Sequence, residues 1–181
     1  MKHEVKTGSI LISEPFMEDK RFEKTIILIV EHNYNGTVGF ILNKHTTLKL
    51  CDLSPDFSSL RMNVNKGGPV EKNSLFFIHK YPDLIHNSIQ IKDGLFWGGD
   101  VNDVISGINK QEIKIKNITF FIGCTGWKKN QLIEEIEDGD WIVHNMNLKD
   151  LDTTLNWSDL LIKINKEYEI WTKAPINFHL N

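Results

Sequence analysis

The chain has 181 residues, 40% of them apolar, 25% charged and 10% aromatic, which fits one folded domain spanning residues 1–181 and excludes intrinsic disorder. Its 21 Lys and Arg against 24 Asp and Glu give a net charge of −3, so there is no overall attraction to phosphate polymers or anionic lipid. Only Arg21 and Arg61 could read phosphate or guanine bidentately, which further disfavours direct nucleic-acid binding.

From the start, no continuous apolar run precedes Glu14 and Pro15, so no signal peptide is expected. The longest apolar stretch, residues 26–30, is far short of the roughly 18 residues that span a bilayer. A cytoplasmic location is the expectation. Residues 9–13 read as a first strand and 25–31 as a buried one, since short Ile/Val runs without helical spacing favour extended structure. Asn35-Gly36 is a hairpin signal leading into a third strand over 37–42. A short helix is expected at 50–53, and Lys66-Gly67-Gly68-Pro69 reads as a turn. Strands are expected at 74–79, 88–91 and 94–97. Asp100 is placed to cap a helix to Asn109, with Val101, Val104, Ile105 and Ile108 at helical spacing. Residues 117–122 return to a strand; 123–126 are expected to turn into a helix over 127–138 that Gly139 closes. A strand at 141–144 and a last helix capped by Asn156 complete the chain. This order is neither regular βαβ alternation nor all-β, and it predicts a mixed α+β fold.

Strand, Gly123-Cys124-Thr125-Gly126-Trp127, then helix is the arrangement closest to a chemical motif, because free N–H groups at a helix start attract anions. It matches neither a phosphate loop, since no Ser or Thr follows Lys128, nor a nucleophile elbow, since Thr125 replaces serine. Cys51 and Cys124 are expected to be reduced thiols. Cys124 as a thiolate would need His79 or His144 as its base, and a buried inert cysteine is the simpler reading. The seven histidines show no H-x-x-x-H or H-E-x-x-H spacing, so no metal is expected. Trp127 and Trp141 read as core anchors, and Gln131, Glu134 and Glu135 as a polar helix face on which Glu134 is the most readily solvated.

Taken together, Gly8, Pro15, Asp19 and Phe22; Glu31-His32, Gly36, Gly39 and Asn43; Gly67-Gly68-Pro69-Val70 with His79; and Gly123-x-x-Gly126-Trp127 with Gln131-Leu132, Glu135, Gly139 and Trp141 resemble the YqgE/AlgH family of uncharacterised bacterial proteins. The likeness covers nearly the whole chain and departs from the family pattern at His45 and Asn130. It implies a bent sheet closing into a pseudo-barrel, with three to four helices around it. Some members of the family carry a transcriptional-regulator label, but no helix-turn-helix with a basic recognition helix is visible here.

The function expected from these readings is a non-catalytic binding or regulatory domain without cofactor, acting through a protein partner or a small anion. The alternative is a small hydrolase or transferase, which requires Asn43, His79, Gln131 and Glu135 to meet in one cleft. The candidate binding residues are Asn43, Gly67, Gly68, Pro69, His79, Gly123, Gly126, Trp127, Gln131 and Glu135. The two glycine segments are expected to lie side by side, tied by the Asn43 and Gln131 side chains. Free N–H groups in the second segment would then suit a small anion or a partner's carboxylate.

Overall fold

The computed structural model describes residues 4–58, 60–151 and 155–172. Ten strands and four α-helices are found among them, in the order β1 (Ile10–Ser13), β2 (Ile26–Asn33), β3 (Gly36–Ile41), β4 (His45–Lys49), β5 (Asn63–Lys66), β6 (Val70–His79), β7 (Ile89–Lys92), β8 (Leu95–Trp97), α1 (Val101–Asn109), β9 (Ile118–Lys128), α2 (Gln131–Asp138), β10 (Trp141–His144), α3 (Trp157–Ile164) and α4 (Tyr168–Thr172). The strands join one mostly antiparallel sheet along the path β10-β1-β2-β3-β9-β6-β8-β7, with β4 and β5 to the side. The fold is therefore α+β. The path ends at β10 and β7 without the two meeting, so the pseudo-barrel is not closed by hydrogen bonds. No described helix is long and apolar enough to cross a membrane.

β2 is apolar at five successive positions because both of its faces are covered. Ile26, Leu28 and Val30 pack with Phe40, Trp157, Leu160 and Leu161, and Ile27 and Ile29 pack on the opposite side with Leu11, Trp127, Leu132 and Trp141. A strand alternates its side chains between faces, so α3 seals one face and α2 the other. A third cluster, with Phe77, Val104, Ile118 and Phe120, sits under α1. The expected caps are present: Asp100 accepts from Asn102 N–H at the start of α1, and Asn156 accepts from Asp159 N–H at the start of α3.

The structure corrects the sequence reading most sharply in β9. Residues 123–126 do not turn into a helix: the strand continues to Lys128, and α2 begins only at Gln131. The reason lies in how a neighbouring segment passes over it. Phe120, Phe121 and Ile122 each pair with β5 in parallel and with β6 antiparallel. A strand has two edges, so β5 and β6 must lie on opposite sides of β9, and the segment joining them crosses over it. The crossing falls at Gly67 and Gly68, where added β-carbons would stand 2.1 Å from the carbonyl oxygens of Gly123 and Cys124. The glycines make room for two backbones in contact. β4 and β5 were not expected, because HTTLK and NVNK carry little apolar signal, and β6 starts four residues earlier than expected for the same reason.

Candidate functional site

The crossing brings residues 67–70 against residues 122–124. Gly67 N–H donates to Ile122 O at 2.9 Å, and Val70 pairs with Cys124. The two glycine segments therefore lie side by side. They form one end of a cleft of about 650 Å³, lined by Pro69, Val70, Gly126, Trp127, Gln131 and Glu135, with residues 17–19, 21 and 22 and Asp140-Trp141 opposite.

One carboxylate organises the cleft floor. Glu135, one turn into α2, accepts from the Trp127 indole N–H at 2.7 Å, from the Trp141 indole N–H at 2.8 Å and from Gln131 Nε2 at 3.0 Å. Both indoles are about 95% buried, at 5% and 4% exposure, so they have no water to donate to, and the carboxylate satisfies them together. Gln131 turns its other end to the strand, with Oε1 accepting from Lys128 N–H at 3.0 Å. The helix is thus pinned to β9 and β10 through a single network. Phe22 completes the aromatic packing, with ring centroids 6.5 Å from Trp127 and 5.5 Å from Trp141.

The rim is acidic. Arg21 is committed to Asp19 through a bidentate contact, with Nε donating to Oδ1 at 3.0 Å and Nη2 to Oδ2 at 2.6 Å. That hydrogen bonding holds the Asp19 carboxyl below its ordinary value. Burial first, and then the charges of Glu135, Asp138 and Glu18, push the Asp140 carboxyl up. The part of that shift that comes from the neighbouring carboxylates, second to burial, is the sign of a negative local potential. Glu18, Asp19, Glu135 and Asp140 line the cleft against the one guanidinium of Arg21.

Gly68, Pro69, Gly126, Trp127, Gln131 and Glu135 thus meet in or beside the cleft, with Gly67 and Gly123 forming the crossing behind it. Asn43 and His79 do not join them. Asn43 Oδ1 accepts from Ile26 N–H, and its Nδ2 donates to Lys24 O, both at 2.9 Å; it braces the entry to β2 and does not tie the glycine segments together. His79 is fully buried, with Nε2 3.1 Å from Gly98 O and Nδ1 accepting from Tyr81 N–H. Those partners assign the proton to Nε2, and burial lowers the ring's proton affinity. Cys124 is buried beside the crossing, and desolvation, then Glu71, push its thiol up to about 11. Neither histidine stands as its base: His79 is bonded elsewhere, and His144 lies on β10, four strands along the ladder from β9. The helix-start N–H groups assumed for an anion are replaced by a strand, since residues 125–128 are paired with β3. Among the described residues no three His, Cys, Asp or Glu side chains are grouped as a metal site. Sequence reasoning missed Met17, Glu18, Arg21 and Asp140, whose only signal was proximity to Asp19, Phe22, Gly139 and Trp141.

Residues 10–169 match the family model described as AlgH-like. The chain is 35% identical over 178 residues to a UPF0301 protein of Cytophaga hutchinsonii, covering 96% of this chain and 98% of that one. It is also 35% identical over 179 residues to a UPF0301 protein of Parabacteroides distasonis, covering 96% and 90%. Among solved structures, a Corynebacterium diphtheriae protein superposes with a TM-score of 0.73 at 22% identity, over 96% of this chain and 95% of that one. The solution structure of the AlgH protein from Pseudomonas aeruginosa gives 0.70 at 22% identity, over 97% and 99%. The chain belongs to the AlgH-like family.

Proposed function

We propose that this AlgH-like protein is a non-catalytic binding domain that engages a protein partner through the cleft between β9, α2 and the 17–22 segment. The observation that carries the reading is the state of Glu135. Its two oxygens accept three side-chain donors, so the acid best placed to move a proton already serves two buried indoles and an amide. The alternative hydrolase needed four polar residues in one cleft. Only Gln131 and Glu135 line it, while Asn43 and His79 are engaged with backbone at other turns. A regulatory role through a partner, as opposed to direct DNA contact, fits the acidic rim, because phosphates would be repelled there.

The test uses a photo-crosslinking amino acid in place of Val70, which is 42% exposed on the cleft rim, and in a second protein in place of Ile89, which is 50% exposed on β7. In the cell that makes the protein, irradiation should give a discrete protein adduct from position 70 and none from position 89. The adduct should disappear when Glu18 and Asp140 are both changed to Lys. No adduct at 70, or the same adducts at both positions, defeats the reading.

A further inference from the structure

β9 changes company along its length. Residues 120–122 are flanked on both edges, by β5 and by β6, whereas residues 125–128 pair only with β3 among the described strands. One edge of that end is therefore open, and the hydrogen bonds show which groups occupy it. Lys128 N–H is taken by Gln131 Oε1, so it points away from β3. Backbone N–H and C=O groups alternate in direction along a strand, which puts both groups of Gly126 on the same open side. By the same alternation Trp127, which lies between them and opposite Thr37, turns its backbone groups toward β3. Gly126 is exposed, and a β-carbon there would meet only Val70 Cγ2, at 3.9 Å. Val70 paired with Cys124 closes the edge at one end, and the Gln131 amide closes it at the other.

An unpaired edge is ordinarily covered, twisted away or blocked by charge, because it templates pairing with another chain. Here it lies along the floor of the acidic cleft, between Pro69-Val70 and α2. A second depression continues past Val38 from Val70, Gly126 and Trp127, with Glu31 and Lys128 as its charged lining. We propose that the open edge at Gly126 accepts an extended, lysine- or arginine-bearing segment of a partner protein as an added strand. Gly126 supplies a donor and an acceptor to one residue of that segment, and the carboxylates of Glu18 and Asp140 receive its basic side chains. Gly126 suits the role because the absence of a side chain lets a second backbone approach. The proposal rests on reading the cleft as a protein-binding site.

The test titrates the ¹⁵N-labelled full chain with a blocked hexapeptide of alternating Lys and Val, following the Gly126 amide and the Trp127 and Trp141 indole resonances. Three further peptides keep the same length: one alternating Glu and Val, and two Lys-Val peptides N-methylated on one or the other alternate set of amides. Strand addition uses only one set. The Lys-Val peptide should shift the Gly126 amide, the Glu-Val peptide should bind at least about tenfold more weakly, one methylated peptide should lose about tenfold, and the other should stay within about twofold. Equal binding by both methylated peptides overturns strand addition while leaving the cleft as a site recognised by charge alone. Equal binding by the Glu-Val peptide overturns the basic partner. Self-association of the free chain that protects the Gly126 amide would show the edge to be covered by a second copy. If no resonance in the cleft moves, the strand proposal falls; the cleft reading falls with it only when the adduct at position 70 is also missing.

Discussion

Gly68 lies against the peptide of Cys124 so closely that a β-carbon on it would stand 2.1 Å from the Cys124 carbonyl oxygen and 2.2 Å from the carbonyl carbon. Both obstacles are backbone inside a paired strand, and neither can swing aside as a side-chain tip could. Gly68→Ala should therefore separate the crossing segments and cost more than about 4 kcal/mol, or abolish folding. Gly126→Ala, with its nearest contact at 3.9 Å, should change stability by less than about 1 kcal/mol. Denaturant unfolding of the two variants measures the contrast, and a Gly68→Ala protein as stable as the parent would contradict the crossing.

Glu135 is the common acceptor of two buried indoles, so its removal leaves donors without partners instead of merely deleting a contact. Glu135→Ala should destabilise by about 2–4 kcal/mol, while Glu135→Gln, which keeps one acceptor oxygen, should cost roughly half of that. The accompanying signature is a change in Trp fluorescence and in the two indole N–H resonances. An unchanged unfolding midpoint for Glu135→Ala would show that the network contributes nothing.

Much of the fold was legible because its signals are local. The apolar runs in β2, β3 and β9 are rich in β-branched and aromatic residues without helical spacing, and Asp100 and Asn156 announce their helices through side chains that bond two or three residues ahead. The polar strands β4 and β5 were hidden, since a strand with an exposed face need carry little apolar signal. The crossing was half visible: three glycines mark a need for room, but not whose backbone fills it. Gly123 was read as the end of a strand when it lies within one. In the site, Gln131 and Glu135 meet because i and i+4 share a helix face, whereas Trp127 reaches Glu135 from the end of β9 and not from the helix expected there. Asn43 and His79 had the same polar look and went to turns, where short polar side chains satisfy backbone groups. The acidic rim was invisible because Glu18, Glu135 and Asp140 become neighbours only after folding.

Asp140 sits among those carboxylates with its pKa raised by burial and by Glu135, Asp138 and Glu18, in that order. For an acid whose folded value lies above its unfolded one, the folded state holds more protons within that window. Stability then falls as pH rises through the window, and the penalty persists above it. Asp140→Asn should remove the penalty, raising the Tm near pH 7 by about 1–2 °C, the equivalent of a few tenths of a kcal/mol at this partly exposed position. The gain should vanish near about pH 3, where the parent is protonated too. A loss of stability near pH 7 that disappears on acidification would instead show that the fold favours the Asp140 carboxylate and that the cleft potential is positive.

Cys124 tests whether the crossing conceals a nucleophile. Its thiol is pushed up to about 11 by burial and then by Glu71, so near pH 8 only about one molecule in a thousand carries the thiolate, which is the reactive form. Access is as poor as ionisation, because the residue is 5% exposed and packs with the core that includes Phe121 and Phe40. Cys51 is less buried and stands at a short turn. In the native protein an alkylating reagent should therefore label Cys51 first, and in a Cys51→Ser variant labelling at Cys124 should proceed at least about a hundredfold more slowly than for a free thiol, accelerating to the free rate only when denaturant opens the core. Rapid labelling of Cys124 under native conditions, with a pH midpoint near or below neutrality, would mean that an unseen cation stabilises its thiolate, and it would restore a nucleophilic chemistry to this face of the protein.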